Sequence, residues 1–129
     1  MYLRYLLAGA MVLALATGAD ALTITQTGVN IHVTYTEPTT TENGTPLDDL
    51  ASTDTVVKDE GQSVVAVHQV LATAPTGGGF VEFDVVVDIP LGQKQTLSVE
   101  VTASDLVGNV SQPAVDVILI DREAPGVPQ

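Results

Sequence analysis

Cysteine and tryptophan are both absent from the 129 residues of this chain. Without cysteine there are no disulfides, on which many small exported domains depend, so the fold must be stabilised by burial of apolar side chains alone. The same absence excludes a lipid anchor on an N-terminal cysteine. Hydrophobic residues make up 45% of the chain. Since a domain of about 100 residues buries roughly two-thirds of its unfolded surface, one stable core is feasible.

Positive charge is also scarce. The chain has 4 lysine and arginine residues against 16 aspartate and glutamate residues, which gives a formal net charge of −12. Such a surface repels phosphate backbones and anionic lipid headgroups, and nucleic-acid binding needs clustered basic residues. The composition therefore argues against nucleic acid as a partner.

Only one apolar run is long, and it lies at the N-terminus. It extends from Leu6 to Ala16, follows Arg4, and precedes Ala19-Asp20-Ala21. Small residues at the first and third of these last positions are typical of a signal-peptidase site, which predicts cleavage before Leu22. The run is too short for a membrane-spanning helix, which needs about 20 residues. The sequence thus predicts a secreted protein, extracellular or periplasmic, without stable membrane insertion after signal cleavage.

This reading divides the chain into three parts. Residues 1–21 are predicted to be a signal peptide, residues 22–121 one domain, and residues 122–129 a C-terminal tail. The tail contains two prolines and a glycine, so we expect an extended end or linker instead of a further strand.

Within the predicted domain, apolar residues recur at every second position, which is the period of a half-buried strand. Three segments have a predicted inward face of this kind: Val29, Ile31, Val33 and Tyr35; Val81, Phe83, Val85, Val87 and Ile89; Leu97, Val99, Val101 and Ala103. Turn residues separate the segments, and no helical stripe follows residue 22. The pattern predicts an all-β fold, an antiparallel two-sheet β-sandwich of about seven strands.

Two blocks of sequence resemble the fibronectin type III domain in the form common in bacterial exported proteins. The first runs from Ile31 to Ala51: a strand ending in an aromatic residue and a nearby proline, then Gly-Thr-Pro-Leu and Asp-Leu-Ala. The second, Val101 to Ser111, is similar to the F strand and the turn that follows it. The segment from Ser52 to Gly79 matches poorly. The resemblance implies a non-enzymatic module, and it makes the tail similar to a linker between modules.

Two core positions depart from the family pattern. Tyr35 stands where the family usually has tryptophan, and Leu97 stands where a tyrosine usually ties the corner between strands E and F. A buried tyrosine needs a partner for its hydroxyl, whereas Leu97 offers apolar packing only. A related immunoglobulin-like topology therefore stays open as an alternative.

Candidates for catalysis are few. A hydrolytic triad needs a base, and the chain has only two histidines, His32 and His68. His32 falls on the outward face of its strand, and His68 lies in a run that is apolar on both faces. Glu82, Asp84 and Asp88 share a strand face, as on any solvated sheet. We expect no enzymatic activity; the alternative is a small secreted hydrolase using His68 and acidic residues.

Metal binding has weak candidates in one acidic segment. Calcium takes oxygen ligands from loops, and five carboxylates lie within a short stretch: Asp48, Asp49, Asp54, Asp59 and Glu60. Their spacing is not that of an EF-hand. No cofactor is expected, with calcium as the weak alternative.

The last strand, Val115 to Asp121, is apolar on both faces. Ile118 and Ile120 lie opposite Val117 and Leu119. In this fold the last strand usually lies at a sheet edge, where unpaired backbone groups accept another strand. Ile118 and Ile120 are thus the predicted interaction residues. The expected function is contact with a protein or polysaccharide, or spacing, at a cell or virion surface; the alternative is a subunit that self-assembles through this strand.

Overall fold

A computed structural model describes residues 21–129; the predicted signal peptide, residues 1–21, lies outside the described residues except for Ala21. The described part contains no helix that is long and apolar enough to cross a bilayer. It contains seven strands, which are β1 (Thr23–Thr27), β2 (Asn30–Thr36), β3 (Leu50–Lys58), β4 (Val64–Leu71), β5 (Phe80–Val86), β6 (Lys94–Asp105) and β7 (Ala114–Asp121).

The strands form two antiparallel sheets. One has three strands in the order β1-β2-β5, and the other has four in the order β4-β3-β6-β7. The edge strands are therefore β1 and β5 in the first sheet, and β4 and β7 in the second. The prediction of an all-β, two-sheet antiparallel sandwich is confirmed.

The core lies between the inward faces of the two sheets. Its buried members include the alternating residues of all three predicted segments, among them Ile31, Val33, Val87, Leu97 and Val99. Val29, Phe83 and Ala103 are only partly buried. The alternation therefore identified the inward faces correctly, because a period of two places successive side chains on opposite sides of a strand.

The inward face of β3 is partly polar. Thr53 and Thr55 are buried beside Val57 on its inward face. The hydroxyl of Tyr35 on β2 shares a hydrogen bond of 2.6 Å with Thr53 Oγ1, which satisfies the polar atom that the buried tyrosine brings into the core. Leu97 is buried in apolar surroundings, as expected.

Edge strands close the two sides of the sandwich. On one side, His68 of β4 stacks on Phe83 of β5, with ring centroids 4.1 Å apart and an angle of 23° between the rings. On the other side, β1 packs against β7. Each sheet edge thus lies against an edge of the opposite sheet, although no ladder hydrogen bonds join them.

The loop after β6 is held by one aspartate. Asp105 Oδ1 accepts hydrogen bonds from the N–H groups of Val107 and Asn109, at 3.1 and 2.8 Å. A hydrogen bond from the Asn109 side chain, followed by these backbone bonds, holds the pKa of Asp105 below its usual value. Gly108 takes a positive φ of 94°. Asp105 thus caps the turn, and Gly108 supplies its left-handed position.

The hydrogen-bonded structure continues just past the predicted end of the domain at Asp121. Arg122 N–H donates to the carbonyl of Gln93, and its guanidinium donates to the carbonyl of Ile89 at 2.8 Å. Residues 124–129 are exposed and form no strand. Arg122 therefore fastens the start of the tail to the loop between β5 and β6.

Candidate interaction surface

The inward face of β7 is not the one expected from its sequence. Ile120 is 0% exposed, and Ile118 is partly buried against the core. The register with β6 explains this, because Ile118 lies opposite Leu97, a core residue on an inward face. The side chains of Ile118 and Ile120 therefore do not form an accessible interaction surface.

The accessible face of β7 is the other one. Val115, Val117 and Leu119 are 54, 57 and 51% exposed. They follow one another along the outer face of the four-stranded sheet, and are called the β7 row below. Side chains of this size are buried in most proteins, so three in succession mark a surface that can pack against another molecule.

The centre of the same outer face is polar. Lys58 and Glu100 form an ion pair of 3.4 Å across β3 and β6, with both side chains about three-quarters buried. Beyond them, at the far edge of the sheet, Val67 and Leu71 of β4 are exposed. Two apolar margins thus border a polar centre, and the margin on β7 is the more continuous.

The backbone of β7 has one side paired with β6 and one side open. Successive N–H groups of a strand point to opposite sides. The N–H of Arg122 points toward the loop before β6, as do those of the other even-numbered residues of this segment. The N–H groups of odd-numbered residues, including Val117, therefore point to the open side. The N–H of Val117 donates to Oδ1 of Asp116 at 2.8 Å, and the N–H of Glu123 donates to Oδ1 of Asp121 at 2.9 Å. Two backbone N–H groups along the open edge are therefore already hydrogen-bonded to aspartate side chains.

The outer face of the three-stranded sheet carries a charged cluster. His32 Nδ1 lies 2.6 Å from Asp84 Oδ1, and His32 Nε2 lies 2.8 Å from Glu82 Oε2. Only the imidazolium form donates from both nitrogens. Hydrogen bonding to Asp84, then to Glu82, raises the pKa of His32. The same bond from His32 is the main cause that lowers the pKa of Asp84.

This cluster resembles neither of the catalytic arrangements considered from sequence. Both nitrogens of His32 already face carboxylates, so no lone pair is free to act as a base. Glu82 and Asp84 are both engaged by the same ring, while Asp88 lies beyond the end of β5. Asp88 borders a surface depression of about 260 Å³, together with Ile89 and Arg122.

His68 is only partly accessible in the side closure of the sandwich, where it stacks on Phe83. Within residues 21–129 it takes part in no ion pair with a carboxylate. The sequence did not determine the orientation of the His68 side chain. In the structure it lies on the inward face of β4, the same face as Ala66 and Val70.

The five weak candidates for calcium are spread along β3. Asp48 and Asp49 precede the strand, Asp54 lies in its middle, and Asp59 and Glu60 follow it. At a rise of about 3.3 Å per residue, the two ends of this strand are roughly 25 Å apart. The structure does not bring the five together, and in the described residues no group of three or more metal-ligating side chains is placed to hold an ion.

A buried carboxylate that sequence reasoning missed lies at the end of β2. Glu37 is 1% exposed. Its Oε1 accepts hydrogen bonds from the Thr73 hydroxyl at 2.6 Å and from Gly79 N–H at 3.0 Å, and its Oε2 accepts one from Thr73 N–H at 3.0 Å. The only signal in the sequence is a glutamate before Pro38, which gives no indication of partners about forty residues away. Glu37 fixes the loop between β4 and β5.

The glycine run in that loop fits closely against the segment after β2. Gly77 has a positive φ of 68°, and a Cβ on it would lie 1.9 Å from the carbonyl oxygen of Pro38. A Cβ on Gly79 would lie 2.8 Å from Glu37 Oε1. These glycines allow the close approach of two loops.

Comparison of the chain with protein-family models, with curated proteins and with solved structures found no significant match.

Proposed function

We propose that this chain is an exported, non-enzymatic module similar to fibronectin type III domains, and that it makes contact with another protein through the outer face of β7. The observation that carries the proposal is the β7 row, three apolar side chains more than half exposed on one strand at a sheet edge. The signal-like N-terminus supports export to a cell or virion surface.

The strand order supports the likeness to fibronectin type III domains. In immunoglobulin constant domains the fourth strand belongs to the sheet of the first, second and fifth strands. In this chain β4 pairs with β3, in the sheet that also holds β6 and β7. This is the arrangement expected of a fibronectin type III-like sandwich. The two departures from the family, Tyr35 and Leu97, are both accommodated in the core.

A protein is a better partner for this surface than a polysaccharide. The β7 row is aliphatic, and aliphatic side chains exposed beside polar residues are typical of protein contacts. Phe80 is the only strongly exposed aromatic side chain in residues 21–129, and it lies on the other sheet. The net charge of −12 favours a partner surface with basic residues around an apolar centre.

The proposal is tested by photo-crosslinking in the cells that produce the protein. A photoreactive phenylalanine analogue is placed at Leu119 in one variant and at Thr25, on the outer face of the opposite sheet, in the control. We expect an adduct with a second protein from position 119 and none from position 25. With the partner identified, Val117→Lys is expected to weaken its binding at least tenfold.

Three results would contradict the proposal. The first is an equal yield of adduct from both positions, because contact would then not be specific to β7. The second is no adduct from either. The third is an adduct at Leu119 that contains only a second copy of this chain, which would indicate self-assembly instead.

A further inference from the structure

The open edge of β7 has the composition and the free backbone groups that allow pairing with another strand. Valine, isoleucine and leucine dominate the strand, and β-branched residues favour a sheet. N–H and C=O groups on an open edge form a template for strand addition. In the described part of the chain, β7 pairs with β6 alone. A strand from another molecule can therefore extend the four-stranded sheet.

We propose that the strand that fits this edge is β7 of a second copy, and that Asp116 suppresses this pairing by capping the N–H of Val117. The proposal goes beyond the function proposed above, because it concerns the main chain of β7 and a different partner. It predicts a two-fold symmetric pair of molecules with a continuous eight-stranded sheet, formed when the cap is removed.

Register selects Val117 as the centre of the pair. The open edge presents the N–H groups of odd-numbered residues, so these residues form the hydrogen-bonded pairs with an antiparallel partner. An axis at Val117 sets Val115 against Leu119 of the other copy, and apolar side chains meet along the whole β7 row. Two other positions of the two-fold axis are less favourable. An axis at Leu119 places Val117 opposite the charged Asp121. An axis at Val115 places Val117 opposite Pro113, which has no N–H to donate.

Local charge in this register allows a second copy as the occupant, although each copy carries a net charge of −12. With the axis at Val117, Asp116 lies opposite Ile118 and Asp121 lies opposite Pro113. No two acidic side chains are directly opposed, although like charges in that position would destabilise the pair. In this register, the acidic residues of β7 therefore lie opposite non-acidic residues of the second copy.

Asp116 blocks the central hydrogen bonds of this pair. Across the axis, the N–H of each Val117 would donate to the carbonyl of the other Val117. In the single chain that N–H donates to Asp116 Oδ1 at 2.8 Å. The cap and the pairing use the same donor and exclude each other. An acidic residue on an edge strand is also a common device against aggregation.

The first experiment measures molecular mass by sedimentation velocity at matched concentrations. Asp116→Val removes the acceptor, and we expect it to shift the protein from monomer to dimer. Asp116→Asn is the matched control, because its amide oxygen still accepts from Val117 N–H, and we expect it to remain monomeric. Circular dichroism and urea unfolding check that each variant is folded.

The second experiment tests the register in the Asp116→Val background. Leu119→Lys and Val115→Glu are each expected to weaken the dimer, because each places a charge against an apolar side chain. The double variant sets the introduced glutamate of each copy against the introduced lysine of the other, so the pair occurs twice. Since a cross-strand ion pair is favourable, we expect it to regain about fivefold in affinity over either single variant.

The inference is overturned if folded Asp116→Val stays monomeric, or if Asp116→Asn dimerises as strongly as Asp116→Val. It is overturned equally if the double variant dimerises no better than Leu119→Lys alone, because the pair would then use another register or another surface. None of these outcomes depends on the partner that the crosslinking experiment seeks.

Discussion

The hydroxyl of Tyr35 lies 2.6 Å from Thr53 Oγ1, and the buried hydrogen bond between them joins β2 of one sheet to β3 of the other. Burial raises the pKa of the tyrosine hydroxyl. The phenol therefore stays neutral at physiological pH, and either hydroxyl can donate this bond. In a chain without disulfides, it is a polar link across a core that is largely apolar.

Tyr35→Phe is expected to lower the free energy of unfolding by about 1–2 kcal/mol, because it leaves Thr53 Oγ1 buried without its partner. Thr53→Val removes the other half of the bond while keeping the shape of the side chain. We expect the double variant to lose less stability than the sum of the two single variants. Urea unfolding measures all four proteins, and strictly additive losses would show that the hydrogen bond contributes nothing.

Glu37→Gln is expected to lower the free energy of unfolding by about 2–3 kcal/mol, because an amide NH₂ group replaces one of two acceptor oxygens that face three donors. The matched control is Asp48→Asn, which changes an exposed carboxylate in the neighbouring loop. It should alter stability by about 0.5 kcal/mol or less. Faster hydrogen exchange at the N–H groups of Thr73 and Gly79 in Glu37→Gln would locate the effect in this loop. Equal losses of unfolding free energy in the two variants would contradict the prediction.

Gly77→Ala is expected to destabilise the fold far more than Gly92→Ala. Both glycines have a positive φ, which costs an alanine about 1–2 kcal/mol. Only at Gly77 does the added Cβ meet backbone, the Pro38 carbonyl, while the space around Gly92 is open. The backbone shift should add about 1–3 kcal/mol. Thermal unfolding of the two variants checks this difference, and similar losses would be inconsistent with the close approach of the two loops.

The His32 cluster predicts a pH dependence of stability with a definite sign. The pKa of His32 is raised above its ordinary 6.5, so its stabilising effect is full below that pH and is lost as pH rises through the folded-state value. The pKa of Asp84 is lowered from 3.8, so its effect is present above that pH and is lost as pH falls further. The cluster therefore stabilises the fold most between these two values.

The measurement is the urea midpoint of wild type and His32→Gln as a function of pH. The difference between the two proteins should shrink as pH rises above 6.5. NMR titration of the His32 ring in Asp84→Asn should give a lower pKa than in wild type. A difference in urea midpoint that is independent of pH would show that the ion pairs are not formed in solution.

Two variants of His68 distinguish a structural role of this side chain from a catalytic one. His68→Phe keeps an aromatic ring against Phe83, and we expect its stability to stay close to that of wild type. His68→Ala removes the stack and should cost about 1–3 kcal/mol. If the protein were a hydrolase using His68, both variants would lose activity while His68→Phe kept its stability. Unfolding curves and hydrolysis assays on the two variants separate these cases.

The strands that follow the simplest physical rule were predictable from sequence. Ile31, Val33 and Tyr35 are buried and alternate with partly buried polar residues, so the inward face was unambiguous. β3 gave no such signal, because its inward face includes threonines, which are counted as polar although their methyl groups pack well in a sheet. β4 is apolar on both faces, and only its position beside β3 decides which face is buried.

The candidate surface was less predictable because it depends on neighbours that sequence does not reveal. Ile118 and Val117 are equally apolar, and the register with β6 alone turns Ile118 inward. Glu37 would be expected at the surface from its chemistry, since buried carboxylates are rare. Its partners, Thr73 and Gly79, come from a loop that reaches it only after the two sheets have assembled.

The pairing of β2 with β5 has a consequence for how the chain folds. His32 and Asp84, which face each other in this pair, are 52 positions apart. β3 and β4, in contrast, are joined by a short turn and can zip together as a hairpin. Distant pairings are slow to form. The hairpin should therefore form early, and both sheets should be completed later, because the four-stranded sheet also needs a distant pairing, that of β3 with β6.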